Sequence, residues 1–299
     1  MTVTLEWLGC ATYRLRIGSM VVMLDTFVDR IPSAPDVGIR SDQIKEADFA
    51  LIGHSHWDHL AGADVVAKNT GARVICSHES ARILRERGVD SSQLWQAQGG
   101  ERFKLSDDVS VRVFPSLHSC VWARMANAGI PVTGDLGMTE QDKAAQQAAG
   151  QQARAGDMAQ HVLDHRAMMA SVATSDSTGG VLDFLIETPE GTILFQDSMG
   201  YWTGIYGSLR PDVALLAAAG RGNIDGEPVQ GSMEDFVVRE CDLLRPRHVI
   251  FSHHDNFIGT PGRPDLADIS PITDAVARVF PHIKVSNMAI RDTITLFQR

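Results

Sequence analysis

The stretch Phe49-Ala50-Leu51-Ile52-Gly53-His54-Ser55-His56-Trp57-Asp58-His59-Leu60 places three histidines and one aspartate within six consecutive positions, directly after an apolar run. If the apolar run is a buried strand, the chain is still extended at its end. The first two histidines then project to one face and can share a metal ion. The aspartate and the third histidine lie where the chain turns into a helix starting near Leu60, so they can point into the same cleft. The spacing therefore predicts a site for two metal ions.

A strand followed by His-x-His-x-Asp-His resembles the metallo-β-lactamase superfamily of binuclear metal hydrolases. The segment Leu8-Gly9-Cys10-Ala11-Thr12 is similar to the Leu-Gly-His-Ala opening of the ascorbate-6-phosphate-lactonase-like branch, with Cys10 where that branch has histidine. The resemblance covers nearly the whole chain, with 121–180 as the main gap. It implies an α/β fold, the four-layer αββα sandwich of this superfamily, formed by residues 1–299 as one domain.

The resemblance also implies three ligands far along the chain. The family has a third histidine for the first metal, an aspartate that bridges both metals and a last histidine for the second metal. The candidates are His118, Asp197 and His253, each at the end of a segment that reads as a strand. The carboxyl ends of strands are where a layered α/β fold opens its cleft.

The implied ligand set divides into two groups and a bridge. The first ion is held by His54, His56 and His118, the second by Asp58, His59 and His253, and Asp197 bridges them. Two cations lower the pKa of a shared water, which yields a metal-bridging hydroxide as nucleophile, and Asp58 or Asp197 then carries a proton to the leaving group. Imidazole and carboxylate donors suit zinc, our first expectation, but also manganese, iron or nickel.

Other residues have predicted supporting roles. Asp25, at the end of the third predicted strand, either holds a ligand imidazole from behind or makes a strand-end turn. An aromatic pocket wall is predicted, with either tyrosine as a hydrogen-bond donor to an oxyanion; its members are Trp57, Tyr201, Trp202 and Tyr206. His254 is expected to line the pocket or to contact the substrate.

Composition narrows the class of protein. The chain has 299 residues, 44% of them hydrophobic, and a formal net charge of −10. Without a dense Lys/Arg cluster, nucleic acid is an unlikely substrate. No apolar run reaches about 18 residues, which argues against a transmembrane helix, and the amino terminus lacks a signal-peptide pattern. Four scattered cysteines fit reduced thiols, so we expect a cytoplasmic protein.

The order of predicted elements fits the layered fold. The chain opens with an antiparallel meander, continues with strand and helix alternation after the histidine motif, and has later hairpins around 103–114 and 181–196. A terminal strand pair is predicted at 284–288 and 293–297. Residues 121–180 are rich in Ala and Gln, which predicts a helical insertion over the cleft that acts as a lid or a dimer contact.

The predicted function is hydrolysis of a small molecule. The resemblance and the apolar pocket favour a small carboxylic ester or lactone, and a small or lipid phosphodiester is the alternative. A di-iron oxidoreductase uses the same fold, although such proteins have more carboxylate ligands than this motif offers. A non-catalytic scaffold with a degenerate site is the third class. The sequence leaves the oligomeric state open, including a homo-oligomer.

Overall fold

The computed structural model describes residues 1–120, 163–164, 167–168 and 177–298. The insertion predicted at 121–180 falls almost entirely outside the described residues. Strands β1 to β8 precede it: Val3–Trp7, Tyr13–Ile17, Met20–Leu24, Phe49–Leu51, Arg73–Ser77, Leu94–Ala97, Arg102–Lys104 and Ser110–Ser116. Strands β9 to β17 follow it: Val181–Thr188, Gly191–Phe195, Gly200–Tyr201, Val213–Ala217, Asn223–Ile224, Glu227–Pro228, His248–Ser252, Lys284–Ser286 and Thr293–Phe297.

Helices α1 to α6 are Trp57–Leu60, Ala63–Thr70, His78–Glu86, Thr203–Tyr206, Met233–Leu244 and Ser270–Val279, and 3₁₀ turns occur at Ser41–Gln43 and Ser91–Gln93. Side chains fix where two of these helices begin. The hydroxyl of Ser77 accepts the backbone N–H of Ser80 before α3, and Ser232 forms a capping box with Asp235 before α5. None of the described helices is long and apolar enough to cross a membrane.

Seven strands form the first sheet, in the order β17-β1-β2-β3-β4-β5-β6. The opening meander is confirmed, because β1, β2 and β3 pair antiparallel. From β3 to β6 the pairing is parallel. The histidine motif therefore follows a central strand, β4, all of whose residues are buried.

A second sheet of seven strands has the order β16-β15-β12-β10-β9-β8-β7, and β11, β13 and β14 form a small third sheet. The hairpins β7-β8 and β9-β10 are antiparallel, as predicted. The predicted terminal strand pair is wrong. Lys284–Ser286 pairs with β15 in the second sheet, whereas Thr293–Phe297 pairs with β1 in the first. Short alternating segments predict strands but not their partners, because pairing is decided by tertiary packing.

Three apolar interfaces define four layers. Leu5 and Leu15 of the first sheet pack against Phe184 and Phe195 of the second in the central core. The outer face of the first sheet packs on α2 and α3, and the outer face of the second packs on α5 and α6. Helix, sheet, sheet and helix therefore follow one another, which is the predicted α/β sandwich.

Candidate metal centre

The histidine motif leaves β4 at Leu51 and enters α1 earlier than the sequence indicates. We expected a helix from about Leu60, but it begins at Trp57, so Asp58 and His59 lie within its only turn. An acidic residue in the first turn interacts favourably with the helix dipole, which explains the earlier start. The two side chains therefore project from a short helix rather than from a loop.

The structure brings the first predicted group together. The imidazole centroids of His54, His56 and His118 lie 4.7 to 4.8 Å from one another. The Nδ1 of His118 lies 2.8 Å from the carbonyl oxygen of Ser119, which can only accept, so Nδ1 carries the proton and the Nε2 lone pair is left for an ion. Within the described structure, the buried Nε2 of His54 has no hydrogen-bond partner.

Three ligand-type atoms of the second predicted group converge. The Nε2 atoms of His59 and His253 are 3.3 Å apart, and Asp58 Oδ2 lies 3.5 Å from the first and 3.4 Å from the second. Four ligands around a zinc ion at about 2.1 Å are separated by about 3.4 Å. The three atoms therefore match one face of a tetrahedral coordination shell.

Two buried carboxylates contact these imidazoles. Asp197 Oδ2 lies 2.5 Å from Nδ1 of His54 and 3.4 Å from Nδ1 of His59, so Asp197 touches one histidine of each group. Its Oδ1 is buried with no hydrogen-bond partner in the described structure. Asp25 Oδ2 lies 2.7 Å from the same Nδ1 of His59, and Asp25 Oδ1 accepts the N–H of Gly53 at 3.0 Å. The contact with His59 is the geometry expected of a carboxylate that orients a ligand imidazole.

Backbone constraints tighten the site. A Cβ on Gly53 would lie 1.9 Å from Asp197 Oδ2, so only glycine leaves room for this carboxylate. Cys10, Asp25 and His253 have φ values of 50°, 52° and 64°, in the left-handed region that costs a non-glycine residue energy. Strained residues of this kind often cluster at functional sites.

The electrostatics differ between the two groups. Burial lowers the pKa of His54 well below its ordinary value and that of His118 to about 4, so both imidazoles are neutral, as metal ligands must be. In the second group, burial lowers the pKa of His59 and of His253, but the carboxylates around them together outweigh it and raise both pKa values: Asp58, Asp25 and Asp197 at His59, and Asp58 and Asp255 at His253. Burial raises the pKa of Asp58, but His59 and His253 outweigh it and hold that pKa well below the ordinary value. The second group therefore favours positive charge.

These residues fit divalent cations. Buried nitrogen and oxygen atoms that lack a hydrogen-bond partner in the described structure, His54 Nε2 and Asp197 Oδ1, would be costly without a further partner. Neutral imidazoles together with carboxylates are donors that suit zinc and other first-row divalent metals.

Aromatic side chains lie beside the second group. Phe257 makes an edge contact with His253 at 4.7 Å between ring centroids, and Trp57 lies 5.9 Å from Phe257 and 5.0 Å from Phe27. Phe27 and Trp57 belong to a small apolar cluster with Cys10 and Ala61. Trp57 therefore lies beside the second group of predicted ligands, and its role in a pocket wall stays a prediction.

Three other predicted pocket residues lie elsewhere. Tyr201 and Tyr206 are each 1% exposed and stack on each other inside the layer under α5, and the Tyr206 hydroxyl donates to Asp183 at 2.8 Å. They fill the core and do not offer a hydroxyl to a substrate. His254 stacks on Trp7 at 4.8 Å and is 6% exposed, so it is a packing residue. Adjacency to a ligand in sequence is not adjacency in space: His253 and His254 both lie beyond the end of β15, and their rings contact different aromatic residues.

Trp202 precedes α4 and is 37% exposed.

Sequence reasoning underrated two other features of the site. The Cys10 sulfur lies with Asp58 and His253 in a group whose ligand atoms are all within 4.8 Å of one another. Arg30 is buried, 3.2 Å from Asp255 Oδ2 and 4.3 Å above the Phe27 ring. Cys10 was visible as a departure from the branch pattern, whereas the Arg30 and Asp255 pair gave no local signal.

Known proteins with similar sequences include metal-dependent hydrolases. A family model described as a beta-lactamase superfamily domain matches residues 21–140. A metal-dependent hydrolase from Archaeoglobus fulgidus is 34% identical over 131 residues, 42% of this chain and 53% of that relative. A metal-dependent hydrolase from Pyrobaculum islandicum is 28% identical over 296 residues, 98% of this chain and 99% of that relative. The match therefore spans about half of the first relative and nearly all of the second.

A solved structure of a metallo hydrolase from Ignicoccus hospitalis covers 100% of both chains with a TM-score of 0.64 at 18% identity. That likeness concerns the fold, which is the metallo-β-lactamase sandwich. The chain is therefore similar to the metallo-β-lactamase superfamily in its fold, in the matched domain and in its sequence relatives. The lactonase-like branch stays a prediction.

Proposed function

We propose that this chain is a metal-dependent hydrolase that holds two divalent ions where strand ends of its two sheets meet. The first ion is assigned to His54, His56 and His118, the second to Asp58, His59 and His253, and Asp197 to the position between them. Zinc is the metal we assign, since the donors are mainly imidazoles.

The observation that carries this proposal is the triangle formed by His59 Nε2, His253 Nε2 and Asp58 Oδ2, with sides of 3.3 to 3.5 Å. Asp58 and His59 lie on α1, which follows a strand of the first sheet. His253 follows β15 of the second sheet, 194 residues after His59. Packing alone does not require three polar atoms to meet with this spacing, whereas a shared cation does.

Divalent ions held by these residues would lower the pKa of bound water and would polarise a carbonyl or phosphoryl oxygen. Neighbouring protein groups hold the ligand imidazoles in position. Asp25 and the Ser119 carbonyl orient His59 and His118 from the Nδ1 side. We assign proton transfer to the leaving group to Asp58, because its side chain is 13% exposed whereas that of Asp197 is fully buried.

The surroundings of the second group support a small carboxylic ester or lactone as substrate. Phe27, Trp57 and Phe257 give that side an apolar aromatic surface. The nearby buried cation, Arg30, already faces the carboxylate of Asp255, so its charge is matched within the protein.

The test combines metal analysis with hydrolysis assays. Protein purified without chelator is analysed by mass spectrometry for metals and then assayed on a lactone, an aryl ester and a bis-aryl phosphodiester. We expect about two equivalents of zinc per chain and turnover of the lactone or ester. Phosphodiester turnover would replace the substrate class, and two irons with oxygen consumption would replace the reaction class.

Variants test the residues. Asp197→Ala and His253→Ala should abolish hydrolysis and lower the metal content while the far-UV circular dichroism stays unchanged. His282→Ala, in the exposed turn after α6, is the matched histidine control. Full activity of either site variant in metal-replete buffer would overturn the ligand assignment.

A further inference from the structure

Cys10 lies at the second metal position rather than in the general core. Its sulfur, a carboxylate oxygen of Asp58 and a ring nitrogen of His253 all lie within 4.8 Å of one another, and the Cys10 side chain is fully buried. The same Asp58 and His253 form two corners of the triangle described above. The structure therefore places a thiol beside a nearly complete set of nitrogen and oxygen donors.

The main chain fixes this thiol relative to His253. The Cys10 carbonyl accepts the N–H of His253 at 2.9 Å, and the Cys10 N–H donates to Asp255 Oδ1 at 2.9 Å. The indole N–H of Trp7 donates to the same carbonyl at 2.9 Å. Cys10 and His253 both adopt left-handed backbone conformations. Two strained residues that are far apart in sequence are therefore joined by a backbone hydrogen bond.

The donor chemistry also fits. Zinc takes four ligands and sometimes five, and a thiolate is a preferred zinc ligand, so Cys10 can add to His59, Asp58 and His253. One thiolate and one carboxylate balance the charge of a divalent ion, which matters at a buried site. In the described structure the thiol donates a hydrogen bond, at 3.5 Å, to the carbonyl oxygen of Asp58, one of the proposed ligands of the second ion.

We propose that Cys10 supplies a thiolate to the second ion, together with Asp58, His59 and His253. Ligation breaks the S–H bond, forms a metal–sulfur bond and releases the proton to solvent, with no change of oxidation state. This inference rests on the proposed two-metal site. It makes the second position of that site selective among divalent metal ions. A soft sulfur donor favours zinc or cobalt over manganese or magnesium.

The test is the ultraviolet and visible spectrum of the full chain loaded with Co²⁺. Chelator-treated protein is titrated to two equivalents of Co²⁺, and the near-ultraviolet region is read for sulfur-to-cobalt charge-transfer absorption. We expect this absorption in the wild type and in Cys76→Ser, whose residue is buried between the first sheet and its helices. We expect its loss in Cys10→Ser, with visible cobalt bands that show retained metal.

Each outcome separates the two proposals. A wild type that binds two Co²⁺ without charge-transfer absorption, or a Cys10→Ser variant that keeps it, would overturn the role of Cys10 and leave the hydrolase proposal standing. A wild type that binds no cobalt or zinc would overturn both. If Cys10→Ser fails to fold, X-ray absorption of the zinc-loaded wild type decides, since a sulfur neighbour at about 2.3 Å supports the assignment and its absence contradicts it.

Discussion

At the scale of single residues, Asp25 contacts a proposed metal ligand, His59, without being a ligand itself. Both of its oxygens accept hydrogen bonds, one from Gly53 N–H and one from His59 Nδ1. Asp25→Asn keeps the size and tolerates the left-handed backbone, but its NH₂ group faces a donor and its charge is lost. We expect a roughly 10- to 100-fold loss of zinc affinity, measured by chelator competition at pH 7. Unchanged affinity would reduce Asp25 to a strand-end turn.

Gly53 tests the position of Asp197 from the opposite direction. A Cβ at Gly53 would overlap Asp197 Oδ2, so Gly53→Ala must displace that carboxylate or the strand end itself. Overpacking of this kind costs about 1–3 kcal/mol, and we expect loss of bound metal along with it. Gly204→Ala in α4 is the control, because a Cβ there meets nothing within 4 Å. Metal content and urea unfolding are measured for both variants, and two full equivalents of metal in Gly53→Ala would contradict the role of Asp197.

At the scale of elements, Tyr206 connects α4 to the second sheet through a buried polar network. Its hydroxyl donates to Asp183 on β9 and accepts from Gln196, which also donates to Glu240 on α5 at 2.6 Å. Burial raises the pKa of both Asp183 and Glu240 well above ordinary values.

Tyr206→Phe would leave buried partners without a hydrogen bond, so we expect a loss of about 1–3 kcal/mol in the free energy of unfolding. Hydrolysis and zinc affinity should change little, because the ring is not on the cleft. Urea unfolding and steady-state kinetics distinguish the two effects. A large loss of kcat with unchanged stability would restore Tyr206 to the substrate pocket.

The same elements show what the sequence could and could not predict. Apolar runs and alternation located most strands within one or two residues, because burial on one or both faces leaves a local pattern. The strand Leu94–Ala97 was missed and the terminal pair was misassigned, since neither feature is decided by local sequence. The predicted metal ligands stand out in the sequence because their type and spacing are unusual, and the structure brings them together. Tyr201 and His254 were misplaced because their neighbours in sequence point elsewhere.

At the scale of the whole molecule, the predicted ligands come from both sheets. His54 and Asp58 follow β4 of the first sheet, whereas His118, Asp197 and His253 follow β8, β10 and β15 of the second. Ions at this edge would therefore cross-link both halves of the sandwich. An ion that binds the folded chain but not the unfolded one stabilises the fold, because unfolding must then also dissociate the metal.

Metal removal should consequently lower the stability of the entire sandwich and not only of the loops that hold the ligands. With free zinc at 100 times its dissociation constant, the fold gains about 2.7 kcal/mol per site. We expect the thermal midpoint to fall by at least about 5 °C when a chelator removes the metal, and to return when zinc is added. Asp197→Ala should show a much smaller shift, because it touches a histidine of each group. A wild-type midpoint that does not respond to chelator in calorimetry, with metal loss verified, would mean that the ions do not hold the two sheets together.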